Sequence, residues 1–299
     1  MRADPSYVNL LTQSLNDAAN RANMLSGQLS SGLRVQSLSD DPSAAAQSTQ
    51  MGSQISRVDT FVQTASGTSS MLQVTDSTLG EVVTQLTSAI SLAVQAANGT
   101  LNNANLQAVM QQVTGIRDQV LSLANTSYQG HYLFAGSKGT AAPYSLDTTT
   151  TPATATYTGD SNVQFIETPS GQKIQTSLPG SAIFGSGTSG ALGVLNQFLA
   201  DLAAGAPSSS FATDTNALND ALAQVSTQRS SLNGSLSTLQ STSTYAQTQE
   251  AQMKILQSSL VAADPASIAT QLKSNQTQYQ ALLNVISALN KVNLFDYLK

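Results

Sequence analysis

Two apolar seams at coiled-coil spacing, one near each end of the chain, most constrain what it can fold into. The first reads Val8, Leu11, Leu15, Ala18, Ala22, Leu25, Leu29, and the second Ile268, Leu272, Asn275, Tyr279, Leu282, Ile286, Leu289. Each steps by alternating threes and fours, the spacing that keeps one stripe of a helix turned toward a partner helix. Chain ends ordinarily fray, because nothing ties them down. Two long terminal helices with adhesive faces therefore point to pairing of the ends and to assembly with other molecules. A lone helix pair is marginal, since each member covers only one stripe of the other. Tyr7, Leu10, Leu283, Val285 and Leu294 are left over and expect cover from other copies. Asn275 is the polar break in the second seam, and a single polar seam residue serves to set register.

Start and stop signals divide the rest. Asp4-Pro5 opens a helix running to about Leu33, roughly 43 Å long at 1.5 Å per residue. SDDPSAAA, residues 39–46, opens a second, with Asp41 as its cap and Pro42 in the first turn. Its seam reads Met51, Ile55, Val58, Val62, Ala65, Ser69, Leu72, Asp76, Leu79, Val83, Leu86, Ile90, Ala93, Ala97, and Asn98-Gly99 stops it. Unbroken, it is about 85 Å long, which reads as a rod; Gly67 and Gly80 are the candidate kinks. A third helix carries Leu106, Val109, Val113, Ile116, Val120 and Leu123 on one face and ends near Gly130.

From Thr140 to about Gly190 the chain turns rich in Thr, Pro and Gly. Residues 163–168 and 173–178 read as strands joined by Pro169-Ser170-Gly171-Gln172, and residues 144–146 and 155–158 as shorter ones. Helix returns at 191–204. A long helix is expected to begin near Asp214 as its cap, with a seam of Leu218, Leu222, Val225, Arg229, Leu232, Leu236, Leu239, Ser243, Ala246. Asp264-Pro265 repeats the cap-plus-proline start and opens the last helix.

The expected fold is mainly α: an elongated nested helical bundle or coiled coil with paired terminal helices and a small β-rich outer insertion. Residues 1–38 form an N-terminal assembly helix paired with the C-terminal assembly helix, 263–299. Residues 39–138 form a helical rod paired with 212–262. Residues 139–211 hold the β-rich insertion and a short helix.

Composition narrows the function. Only 10% of the 299 residues are charged and 5% aromatic, and there is neither Trp nor Cys. Low charge weakens mutual repulsion and suits a chain that packs on copies of itself. The net charge is −5 with scattered basic residues, so no stripe neutralises nucleic-acid phosphates or an anionic membrane. Without cysteine there is no disulfide, thiolate nucleophile or Cys-ligated metal. No run reaches the roughly 20 apolar residues of a membrane span. MRADPSYVNLL has no charged region leading into an apolar one, so export is expected without a cleaved Sec-type signal.

Catalytic, cofactor and metal sites are not expected. Gly185, Gly187 and Gly190 fit G-x-G-x-x-G, but that motif needs a βαβ unit around it, and a flexible junction explains it better. His131, the only histidine, lies among aromatics in GHYLFAG and is expected to pack or hydrogen-bond there. Asp40 and Asp41 resemble an acid pair, yet their place before Pro42 favours capping.

QLSSGLRV (28–35), SDDPSAAA (39–46), SLAVQAANGT (91–100) and GHYLFAG (130–136) stand in an order that resembles the bacterial flagellin superfamily. The proline of SDDPSAAA, the GHYLFAG turn and the ending NLFDYLK are similar to its hook–filament junction branch. So are YTGDSNVQF (157–165), Leu178-Pro179-Gly180 and Ile183-Phe184-Gly185. The resemblance implies a structural, non-enzymatic axial protein of the flagellum. It implies export through the flagellar type III apparatus and a place outside the cell between hook-associated protein 1 and the flagellin filament. It also implies contact with other copies, with flagellin, and before export with a cytoplasmic chaperone that masks the last helix, here including Tyr279, Leu282, Ile286 and Leu289. The rivals are a short flagellin filament subunit and, from another class, a coiled-coil signalling or adaptor protein.

Overall fold

The computed structural model describes residues 5–99, 101–185 and 187–295. In chain order, α1 spans Pro5–Ser31, α2 Pro42–Ala97 and α3 Asn103–Ala124. Six short strands follow: β1 (Ser127–Tyr128), β2 (His131–Tyr132), β3 (Tyr144–Asp147), β4 (Thr154–Tyr157), β5 (Phe165–Glu167) and β6 (Lys173–Gln175). Then come α4 (Gly190–Ala204), α5 (Ser208–Val261) and α6 (Pro265–Phe295). The chain forms two compact units, residues 1–57 with 249–299 and residues 58–248, so that α2 and α5 each contribute to both.

In the second unit, α2 and α5 run antiparallel. Arg229 Nε donates to Asp76 Oδ1 at 2.7 Å and Nη2 to Oδ2 at 3.1 Å, while farther along Gln240 Nε2 reaches Ser69 Oγ. That forked ion pair holds the Asp76 carboxyl below the usual carboxylate range. The buried stripe of α2 is Val58, Phe61, Ala65, Leu72, Thr75, Leu79, Val82, Leu86, Ala89, Ala93 and Ala96. Every seventh residue from Val58 agrees with the sequence seam. Its other half lies one position earlier, at Phe61, Val82, Ala89 and Ala96 in place of Val62, Val83, Ile90 and Ala97. Those displaced residues are half-buried. Both positions are apolar because α2 buries a stripe wider than a two-stranded seam. Asp76 therefore flanks the core, where its carboxylate reaches Arg229. Thr75 faces the core, with its hydroxyl bonded to Met71 O four residues back. Helix α2 runs unbroken through Gly67 and Gly80.

Helix α5 begins at Ser208, six residues before the expected start. Asp214 is therefore no cap: it lies inside the helix and is buried, with Phe211 buried one turn before it.

The strands form three separate antiparallel hairpins, β1–β2, β3–β4 and β5–β6. The aromatic core behind them joins residues far apart in sequence. Phe134 stacks edge-on against Phe184 at 5.0 Å between centroids, and Tyr144 contacts both Tyr157 and Phe184. Gly180 N donates to Phe134 O at 2.8 Å, and the Tyr144 hydroxyl donates to Gly185 O at 2.7 Å. Burial pushes the Tyr144 hydroxyl pKa up, which keeps it a donor. Asp160 accepts the backbone N–H groups of Ser137 and Asn162. GHYLFAG, YTGDSNVQF, Leu178-Pro179-Gly180 and Ile183-Phe184-Gly185 thus meet as one packed body.

Two lesser expectations resolve here. His131 is exposed on β2, and its neighbours Leu133 and Phe134 do the packing. At Gly185 and Gly190 the φ angles are +83° and +70°, and a Cβ on either would run into the other's backbone. These glycines let the loop close on itself ahead of α4.

Candidate assembly interface

The first unit is built on α1 and α6, which pack against each other. A backbone bridge fixes their base: Leu33 pairs antiparallel with Ala262, Ala263 N donates to Gly32 O at 2.9 Å, and Arg34 N donates to Val261 O at 2.8 Å. Arg34 Nη2 adds a bond to Leu260 O. From that base the helices run antiparallel, and Asn275 Nδ2, buried, donates to Ala18 O at 2.7 Å. Ala18 is one of the two alanines of the α1 seam, the other being Ala22. Leu11 and Leu25, one heptad to either side, would place a branched side chain beside the corresponding carbonyl. The amide satisfies its buried donor in this register, and an unmade bond there costs about 1–3 kcal/mol.

Capping holds the connecting segments. Asp41 Oδ1 accepts Ala44 N–H at 3.0 Å at the start of α2, and Arg34 Nη1 lies 3.2 Å from Asp41 Oδ2. The Ala44 bond, and then Arg34, hold the Asp41 carboxyl below its ordinary range. Asp40 Oδ2 accepts the N–H groups of Gln36 and Ser37, which folds the loop back. Asp264 Oδ1 accepts Ala266 N–H at 3.0 Å at the start of α6.

The pair buries Leu11, Ala18, Leu25, Ile268 and Asn275, and leaves Leu15, Leu272, Tyr279, Leu282 and Ile286 half-buried. Val8 and Leu29, at the two ends of the α1 seam, are exposed. The side chains of Leu289 and Leu294 lie outside the described residues.

The unit leaves two apolar groups uncovered. Tyr7, Val8, Leu10, Leu283 and Val285 stand at the end of the helix pair remote from the bridge, with Leu10 60% and Leu283 41% exposed. Met24, Leu29, Leu33 and Leu38 lie toward the base and in the loop after α1, and Ile255 and Leu256 near the end of α5. Among the described residues, the second unit exposes only Val94, Phe165 and Tyr245 of the large apolar type. Charge divides the same way. The first unit carries eight basic and seven acidic residues, the second four basic and ten acidic. A near-neutral body with grouped exposed apolar side chains is suited to packing, and an acidic body with few of them to contact with water. Sequence reasoning found Tyr7, Leu10, Leu283 and Val285. It missed Met24, Leu38 and Ile255, which lie off any seam, and it set Leu256 on the irregular continuation of the α5 seam through Met253, Leu256 and Leu260 without expecting it to be exposed.

The bacterial flagellin N-terminal helical region matches residues 7–139, and the bacterial flagellin C-terminal helical region matches residues 215–298. The flagellar hook-associated protein 3 of Salmonella typhimurium is 32% identical over 169 residues, which cover 56% of this chain and 51% of that protein. The flagellar hook-associated protein 3 of Escherichia coli is 34% identical over 119 residues, 40% of this chain and 38% of that protein. The chain thus spans about half the length, or less, of these relatives. In fold it is similar to the crystal structure of flagellar hook-associated protein 3 from Legionella pneumophila. The TM-score is 0.62 at 14% identity, covering 71% of this chain and 98% of that one. The two flagellin regions together take in well over half of the sequence, and the chain belongs to the bacterial flagellin superfamily.

Proposed function

We propose that the chain is a structural junction protein of the bacterial flagellum, in which the α1–α6 unit packs against other subunits and the acidic unit faces solvent. The carrying observation is the grouping of exposed apolar side chains on the first unit. Relatives that match it are named hook-associated protein 3, which supports a place between hook-associated protein 1 and the flagellin filament. On this reading Val8, Leu11, Leu15, Leu25, Leu29, Ile268, Leu272, Tyr279, Leu282, Ile286 and Leu289 form the assembly seam, and Asn275 sets its register. The half-buried Tyr279, Leu282 and Ile286, with Leu289, serve as contacts for an export chaperone before the pair forms. Type III export then delivers the chain to the outside of the cell.

Deletion of the gene tests the junction role. Cells lacking it should keep their hooks, carry no filaments and release flagellin into the medium. Normal filaments on such cells would overturn the reading.

A further inference from the structure

Asp214 is a buried carboxyl outside the proposed assembly seam. It is 3% exposed, and its Oδ2 meets no hydrogen-bond donor. The carboxyl that acts on it is that of Asp201, in the last turn of α4, which itself accepts from Gln197 Nε2 at 3.3 Å. Along α5 it is flanked by Phe211 and Leu218, and along α4 Asp201 is flanked by Phe198 and Leu202, all buried. Phe198 and Phe211 meet edge-on at 6.1 Å. The contact between α4 and the start of α5 is thus apolar apart from two acids.

No cation stands ready to neutralise them. Asp201 is the only charged residue of α4, and Asp214 and Asp220 are the only ones of α5 before Arg229. Arg229 is committed to Asp76. Helix α3, which packs on α4, offers Arg117 and Asp118, and that guanidinium is spent on Asp118 Oδ1 and Ala153 O. Strand β4, also against α4, carries no charge, and β3 beside it carries only Asp147. Along α2, within this unit, stand only Asp59, Asp76 and Glu81. The C-terminal end of the α4 dipole adds negative potential beside Asp201. Helix α4 also buries Asn196 with neither amide atom hydrogen-bonded, so its docking has little to spare.

We propose that Asp214 keeps its proton in the folded protein, and that this proton holds α4 against the start of α5, so that its loss releases α4. A carboxyl buried in an apolar contact, with a like charge acting on it and no cation nearby, is held in its neutral form. Burial, and after it the Asp201 charge, pushes the Asp214 carboxyl up to about 7. Because the folded value lies above the unfolded one, the native state keeps a proton that the unfolded chain has lost. Stability from the pair is complete below the unfolded carboxylate range and falls as pH rises through about 7. Asp41 and Asp76, with lowered values, have the opposite dependence and lose their contribution as pH falls.

Hydrogen exchange of the α4 amides in the full chain, corrected for intrinsic rate, at about pH 5.5 and about pH 8.5, tests this. Wild-type α4 should lose protection by roughly tenfold or more at the higher pH. Asp214→Asn, which keeps the shape without the ionisation, should hold α4 protection constant within about twofold. An equal loss in Asp214→Asn, or a constant wild type, would overturn the proposal. Should Asp214→Asn fail to fold, carboxyl carbon NMR of the wild type decides. A midpoint for Asp214 near 7 supports the retained proton, and ionisation in the ordinary carboxylate range overturns it.

Discussion

Replacing Leu10 and Leu283 together by Asp should abolish assembly while leaving the protein folded. Both side chains are exposed in the single chain, so charge there removes little internal contact. Circular dichroism and thermal unfolding should match the parent within about 0.5 kcal/mol. In the assembled state the same positions are expected to be covered. Each leucine then gives up about 1–2 kcal/mol of burial, and each new carboxylate must be desolvated at several kcal/mol without a partner. The association constant should fall by more than about a hundredfold, visible as unassembled protein in sedimentation and as lost motility in complemented cells. Assembly at parental levels would show that this end of the helix pair faces solvent in the flagellum.

Phe134→Ala should be the most destabilising single change in the second unit. Its ring is fully buried against Phe184, and its carbonyl anchors Gly180. Removing a buried aromatic ring leaves a cavity that the surrounding chain fills only partly, at a cost of about 3–5 kcal/mol. The residues that close over Phe134 come from segments up to fifty positions away, so the loss should unfold the hairpins together. Phe165→Ala is the control: that ring is exposed on β5, and the change should cost under about 0.5 kcal/mol. Chemical denaturation of the two variants measures both, and equal midpoints for the two would contradict the packed-core description.

Much of this structure was legible because its signals are periodic or local. The prolines at positions 5, 42 and 265 stand at the first turns of α1, α2 and α6, and each of those starts could be read from the residues around it. Seam reading went half wrong on α2 because Phe61 and Val62, like Val82 and Val83, are adjacent apolar residues. A stripe broad enough to half-bury both gives the sequence no means of choosing the inner one. Asp214 misled because an acid before a helical seam usually caps it, and the true start at Ser208 carries no acidic residue in its first turn. The two-residue strands β1 and β2 are too short for alternation to show. Their one local cue is the turn at Gln129-Gly130, where both φ angles are positive. The carboxyl pair joins residues on two different helices, and only the packing of α4 on α5 brings them together.

Apart from Val8, Leu29 and Leu256, the exposed apolar residues of the first unit fall outside the seams, and on the proposed reading they meet neighbours outside the chain. What a seam covers within the molecule and what it leaves for another subunit differ only once α1 and α6 are placed together. On the proposed reading Asn275, bonded to Ala18 O, sets that placement, and the leftover side chains at the two ends of the pair follow from it.

Immunogold labelling of intact flagella, with an antibody against the β3–β4 hairpin of the acidic unit, tests the central claim most directly. A junction protein whose helix pair is buried among its neighbours should give one compact site of label at the boundary between hook and filament. Label distributed along the filament would make the chain a flagellin subunit, and absence of label from the flagellum would contradict an axial role altogether.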